Sequence, residues 1–320
     1  METITADADD HAVGLQHWKQ EYHQLSGGHF HGVLNEIWFG NIQLFREQTN
    51  QIVHETGRAW DGSRTLGIPI VVEGEGVFCG SRFNRDTVLT LGHGDMFDFR
   101  TPMTFDILAV TVDAEAMREF GLEIWQIDIE DKISGHNLLT PPTEIADQSR
   151  EFLLEMLSNL MRTPSILNYP QIRKGVEQEI YNNLITVVGG SDMSRMALPF
   201  IASRKAIVTQ AKEYVSANQE EPVMVADICR ALKVSRRTLQ YSFQSVYGVS
   251  PVTYLRAVRL NGVRRMLKQA AGTSGACVAD FAASWGFWHL SHFAADYKAL
   301  FGELPSQTLR QRAALASSTV

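Results

Sequence analysis

Between residues 30 and 112 the apolar positions fall in short runs cut by glycine and polar turns. The segments "GVLNEIWFG", "NIQLFREQTNQIVHE", "GIPIVVEGEGVFC" and "DTVLTLGHGDMFDFRTPMTFDILAVTVD" read as β-strands joined by tight hairpins. Strands this short, at this turn density, predict a sandwich or a small barrel. "AEAMREFG" at 114–121 follows as a short helix. The first dozen residues are polar and aperiodic, and the pattern predicts no stable element there.

Beyond "LLTPPTEI" at 138–145 the period becomes helical. Phe152, Leu153, Met156, Leu157, Leu160 and Met161 form one stripe, and Ile172, Val176, Ile180, Leu184 and Val187 a second. These helices, at about 144–188, could pack on the β-domain or meet their counterparts in another subunit; the pattern serves either. "VVGGSDMSRMALPF" at 187–200 has the small and polar residues of a linker. The pattern therefore gives an α+β chain: a domain over 1–190, a linker over 191–203, an all-α domain over 204–312 and a tail over 313–320.

The all-α region repeats itself. "VADICRALKVSRRTLQ" at 225–240 and "VADFAASWGFWHLSHF" at 278–293 begin alike, fifty-three residues apart. After the turn the offset becomes fifty-four: Leu239 matches Phe293, Phe243 matches Tyr297, and "GVSP" at 248–251 matches "GELP" at 302–305. Each unit reads as a helix, a turn and a second helix, with Ser235 placed to cap the second helix of the first unit. That helix turns Leu239, Phe243 and Val246 inward and leaves Arg236, Arg237, Gln240, Tyr241 and Gln244 outward. In the second unit Phe293, Tyr297 and Leu300 face inward, and His289, Ser291, His292, Asp296 and Lys298 outward.

Such a second helix suits the major groove, where arginine pairs with guanine edges and glutamine with adenine edges. Between the units "PVTYLRAVRLNGVRRMLKQAAG" predicts one long helix, about 28 Å at 1.5 Å per residue. Successive major-groove openings on one face of the duplex lie ~34 Å apart. One chain could thus address two of them, with Arg256, Arg259, Arg264, Arg265 and Lys268 on the connector as candidates for phosphate contact.

The charge distribution agrees with this division. The net charge of −7 conceals a basic C-terminal part: residues 204–320 carry 15 Lys+Arg against 7 Asp+Glu, and residues 1–203 carry the acidic remainder. Segregation of this kind suits a module that attracts a polyanion joined to one that does not. No run approaches the ~20 apolar residues of a membrane helix, and the acidic N-terminus is unlike a signal peptide. The expectation is a cytoplasmic chain with no membrane partner. Cys79, Cys229 and Cys277 are scattered, without the paired spacing of a zinc site or disulfide framework.

Residues 226–260, "ADICRALKVSRRTLQYSFQSVYGVSPVTYLRAVRL", resemble the first helix-turn-helix and linker helix of the AraC/XylS family of transcription regulators. Residues 278–310, "VADFAASWGFWHLSHFAADYKALFGELPSQTLR", resemble that family's signature segment. The resemblance implies a seven-helix domain that binds promoter DNA with the outward residues of both recognition helices. It further implies a homodimer, contact with RNA polymerase in activators, and control by a small-molecule effector in some members. Trp288 and Leu290 depart from the pattern by standing where polar residues are usual, and Ala295 fills a position that often carries a long polar side chain. The N-terminal part, with "YHQLSGGHFHG" and "LFREQTNQ", is similar to the cupin-type sensor or oligomerisation domain of some members.

A ligand pocket inside that β-domain is expected, with Trp38, Phe39, Phe45, Phe78 and Phe97 as candidate lining. His29, His31 and Glu36, with His93 from a later turn, have a cupin-like metal-ligand spacing, but "SGGHFHG" and "LGHGD" also read as glycine-flanked turns. The reading taken is no metal, no cofactor and no enzyme, since no G-x-S-x-G, P-loop or dinucleotide fingerprint is present.

Overall fold

The computed structural model describes the 320 residues except 93, 192–198, 219–222, 272–275, 288 and 316–320, with side chains left undescribed at 199–203 and 311–315. Packing divides the chain into a sheet unit, Met1–Tyr22 with His31–Met196, and a helical unit, His23–Phe30 with Ala197–Val320.

The sheet unit is a sandwich. Its strands are β1 (Glu2–Thr5), β2 (Lys19–Gln24), β3 (Gly32–Phe39), β4 (Ile42–Thr49), β5 (Val53–Arg58), β6 (Ser63–Glu73), β7 (Gly76–Phe78), β8 (Ser81–Phe83), β9 (Val88–Leu91), β10 (Phe97–Arg100), β11 (Thr104–Asp113) and β12 (Leu138–Leu139). One sheet has the order β1-β3-β4-β11-β6-β9-β12 and the other β2-β5-β10-β7-β8. β3 and β4 form a tight antiparallel hairpin, from Gly32 opposite Thr49 to Phe39 opposite Ile42, and Gly40 at its tip takes φ +52°. Pro69 lies within β6, and the β6–β11 register shifts beside it, between Asp106 and Ile107. A bulge absorbs the ladder bond that proline cannot donate.

Alternation along the strands creates two apolar layers. One face of the larger sheet, with Ile42, Leu44, Leu66, Ile68, Leu108 and Val110, packs on α4 (Thr143–Arg162) and α5 (Pro170–Gly190) through Leu153, Leu157, Ile180 and Leu184. These stripes are therefore core, each such side chain contributing roughly 1.5–3 kcal/mol on burial. Arg150 ties α4 to the strands by donating to the Pro69 and Arg85 carbonyls at 2.8 and 2.7 Å. The opposite face meets the smaller sheet across an aromatic interior that includes Phe45, Phe78, Phe97, Phe99 and Phe105. Three short helical elements, α2 (Ala114–Phe120), a π-turn (Gly121–Trp125) and α3 (Ile129–Ile133), lead from β11 towards α4.

The helical unit has seven helices among the described residues: α6 (Pro199–Ala217), α7 (Val225–Leu232), α8 (Arg236–Tyr247), α9 (Pro251–Gln269), α10 (Val278–Ser284), α11 (Leu290–Phe301) and α12 (Pro305–Leu315). Residues 23–30 belong to it. Buried Asn261 of α9 accepts from the Gln24 backbone N–H at 3.2 Å and donates to its carbonyl at 3.0 Å.

Three expectations need correction. The N-terminal dozen forms β1, paired with β3, and α1 (Ala8–Ala12), whose N-cap Asp7 accepts from the Asp9 and Asp10 amides. A five-residue helix is too short to show a period. The stretch read as linker is helical from Pro199, a residue suited to the first position of a helix, and the nominal tail includes the end of α12 at Leu315. Residues 23–30, read as part of the sensor domain, group with the helices.

Candidate nucleic-acid interface

In the first unit Asp227 accepts the Met224 amide at 2.9 Å and so starts α7, while Lys233, left-handed at φ 53°, ends it. Ser235 then caps α8 by accepting the Thr238 amide at 3.0 Å. Leu239, Ser242, Phe243, Val246 and Tyr247 are buried, and Gly248 at φ 66° closes the helix. Arg236, Arg237, Gln240, Tyr241 and Gln244 are all exposed. The Arg237 guanidinium lies over the Tyr241 ring, 5.4 Å from its centroid, and Gln244 donates to the Gly248 carbonyl at 3.1 Å.

The second unit repeats the plan. α10 ends at a turn with Gly286 at φ 76°, and α11 buries Phe293, Tyr297, Leu300 and Phe301 before Gly302, also at φ 76°. His289, Ser291, His292 and Lys298 are exposed and Asp296 is half-buried. Leu290 and Ala295 are exposed, and Trp288 lies outside the described residues. α11 has no side chain on its first amides where α8 has Ser235.

A helix turns about 100° per residue, so the fifty-four-residue offset pairs positions on the two recognition helices. Arg237, Tyr241 and Gln244 correspond to Ser291, Ala295 and Lys298. His292 and Asp296 correspond instead to Thr238 and buried Ser242, and so sit about 100° round the helix towards α9. There Asp296 meets Arg256 of α9 at 3.4 Å. A single groove of about 670 Å³ is lined by Met224, Cys229 and Arg236 from the first unit, Leu255, Arg256 and Arg259 from α9, and Gly286, His289, His292 and Asp296 from the second. The first turn of α8 and one flank of α11 thus open onto the same side of the helical unit.

The connector arginines do not share one role. Arg256 is exposed at its tip, while Arg259 is half-buried and donates to the Val223 carbonyl at 2.5 Å. Burial, reinforced by neighbouring Arg256, holds the Arg259 guanidinium below its ordinary value. Arg264 points into the core: it donates to Glu303 at 2.7 Å and stacks over Phe301, 4.5 Å from the ring centroid. It is not available to phosphate, because i+3 and i+4 spacing puts it on the face that carries Leu260 and Leu267. Arg265 meets His23 at 3.2 Å, also within the helical unit.

The model for a helix-turn-helix domain matches residues 228–311 and spans both units and the connector. Over that stretch the chain is similar to regulators of the AraC/XylS type. Among curated relatives, the "Probable thc operon regulatory protein" of Rhodococcus erythropolis is 29% identical over 211 residues, 66% of this chain and 63% of that protein. The "XylDLEGF operon transcriptional activator" of Pseudomonas putida is 26% identical over 142 residues, 44% of this chain and 43% of that one. The chain therefore spans less than two thirds of either relative. Among solved structures, that of a "probable AraC family transcriptional regulator" from Rhodopseudomonas palustris is 37% identical, covers 34% of this chain and 97% of that chain, and superposes with a TM-score of 0.31.

Of the remaining candidates, His29 belongs to the helical unit and the aromatic pocket candidates, His31 and Glu36 to the sheet unit. Phe45, Phe78 and Phe97 line a cavity between the sheets, but Trp38 and Phe39 do not. Phe39 alternates to the opposite face and joins the core under α4 and α5, and Trp38 packs on Trp60 while donating to Glu36 at 2.8 Å. Polar groups that the sequence reading passed over line the same cavity: Tyr22, Glu47 and Glu55. Alternation in "LFREQTNQ" places Glu47 on the side of Phe45, while no local signal marks Tyr22 or Glu55.

Of the metal-site candidates, His93 lies outside the described residues, Glu36 accepts from Gln43 at 2.5 Å, and the His29 ring packs on Gly302. Among the described residues no group of three His, Cys, Asp or Glu side chains could hold a metal ion. Cys79, Cys229 and Cys277 form no disulfide with one another. No described helix is long and apolar enough to cross a membrane.

Proposed function

We propose that this protein regulates transcription in the cytoplasm by binding promoter DNA sequence-specifically, with α8 and α11 entering successive major grooves. The observation that carries this reading is the duplicated unit, whose two recognition helices border one groove walled by arginine and histidine side chains, with Gln240 and Gln244 exposed on α8. Arg237, Gln240, Tyr241 and Gln244 read the first groove segment. On α11, Ser291 and Lys298 share the corresponding stripe, while His289 and His292 face the groove between the units. Arg236 contacts phosphate and sets the register, Arg256 is held by Asp296, and Arg259 supports the frame. The relatives' names, an operon regulatory protein and an operon transcriptional activator, support a role at promoters.

The protein acts as a homodimer, recruits RNA polymerase as an activator, and answers a small molecule held in the sheet unit. Genome-wide recovery of bound DNA tests the reading. A shared sequence motif upstream of a defined gene set is expected, and replacing Arg237 and Gln240 by Ala removes enrichment at those sites. Sedimentation of the purified chain with and without operator DNA tests the dimer.

A further inference from the structure

The cavity between the two sheets has a volume of about 60 Å³. At roughly 10–15 Å³ per enclosed water, it has room for about four to six waters, or a small organic molecule. Rings of Trp18, Tyr22, Phe45, Phe78, Phe97 and Phe99 form part of its wall, beside aliphatic side chains such as Leu15, Leu89 and Ile107. Two carboxylates line it from opposite sheets: Glu47 of β4, 8% exposed, and Glu55 of β5, 3% exposed.

The two are not equally provided for. Glu47 lies 3.1 Å from His11 Nε2 and accepts the Tyr22 hydroxyl at 2.9 Å. Glu55 is paired with no lysine, arginine or histidine among the described residues. The neighbouring Tyr22 has one O–H proton, which cannot serve both carboxylates at once. Burial, and then the proximity of Glu47, push the Glu55 carboxyl well above the usual range.

We propose that this cavity binds a small organic monocation, a primary ammonium on a short apolar stem, with the ammonium on Glu55 and the stem among the rings. An ammonium brings three donors and the compensating charge that a buried carboxylate lacks. The faces of the surrounding rings attract a cation in addition. A carboxylate ligand would meet two carboxyl groups, and a neutral alcohol would bring no positive charge to stabilise the ionised form of Glu55. The proposal deepens the effector-responsive part of the reading above and does not depend on DNA binding.

The test is calorimetry on the full chain with n-butylammonium, n-butanol and butanoate, three probes of similar size and different charge. n-Butylammonium is expected to bind one per chain, at least tenfold tighter than n-butanol, and butanoate not at all. Glu55→Gln should lower the ammonium affinity at least tenfold, and Ala109→Leu, which fills the cavity without touching charge, should lower it too. Operator retention by the unliganded chain is measured in parallel, so that loss of DNA binding is not mistaken for loss of the site. Equal binding of ammonium and alcohol, affinity unchanged in both variants, or no binding of the ammonium at millimolar concentration would overturn the proposal.

Discussion

The carboxylate of Asp296 on α11 lies 3.4 Å from the guanidinium of Arg256 on α9. The pair joins a recognition helix to the connector on the wall of the groove between the two helix-turn-helix units. Asp296 is thus paired with a connector arginine that its loss would release towards phosphate. With side chains 57% and 31% exposed, the pair contributes no more than about 1 kcal/mol to stability. Replacing Asp296 by Ala should leave the melting temperature nearly unchanged while raising affinity for non-specific DNA. The slope of log affinity against log salt should steepen by about 0.9, one phosphate contact. A titration of random duplex DNA over a range of salt reads this directly.

The buried pair Arg264–Glu303 predicts the opposite balance. Its side chains are only 10% and 11% exposed, and the same guanidinium also reaches Tyr297 and Thr308. Glu303→Ala leaves that charge in the core and should destabilise the helical unit by about 3–5 kcal/mol. Chemical denaturation followed by far-ultraviolet circular dichroism is the measurement, and 0.5 M salt should barely alter the difference.

Gly262 predicts a steric effect. A Cβ there would lie 2.2 Å from the Trp285 ring, so α9 and α10 can approach only over glycine. Gly262→Ala should cost about 1–3 kcal/mol by forcing the ring aside, although alanine is the better helix former. Thermal unfolding of the two proteins side by side decides it.

Glu55 sets a pH dependence. Its folded-state carboxyl is raised, first by burial and then by Glu47, with Tyr22 between them and His11 on the far side of Glu47. A raised carboxyl binds its proton more tightly when folded. Its contribution to stability is therefore complete below the unfolded value of about 4.3 and is lost as pH rises from there towards the folded value. Stability of the wild type relative to Glu55→Gln should fall by up to about 1.4 kcal/mol per pH unit through that window. Denaturation midpoints of both proteins between pH 4 and 8 provide the comparison.

The helical unit was legible because its sequence signals are local. Ser235 as cap, Gly248 as terminator and the inward Leu239 and Phe243 all lie within the first unit, and Phe293, Tyr297 and the terminator Gly302 within the second. The strands of the sandwich were legible from alternation, and the burial of the α4 and α5 stripes from their period. What the sequence concealed depends on long-range packing. Arg264 and Arg256 look alike in "YLRAVRLNGVRRML", and only the positions of Glu303 and Asp296, some forty residues away, separate a core residue from a surface one. Likewise Glu47 and Glu55 belong to different sheets, and no local pattern brings them to one cavity. The side position of Asp296 follows from its equivalence to buried Ser242 under the fifty-four-residue offset.

The claim on which the account depends is that one chain reads two groove segments with two equivalent helices. Hydroxyl-radical and base-methylation footprinting of a recovered operator, with wild type, Arg237→Ala/Gln240→Ala and Ser291→Ala/Lys298→Ala, tests it most directly. The account predicts two protected major-groove segments per subunit, centred about 10 base pairs apart, each double variant losing one and keeping the other. A single protected segment, or two segments that neither variant changes, would contradict it.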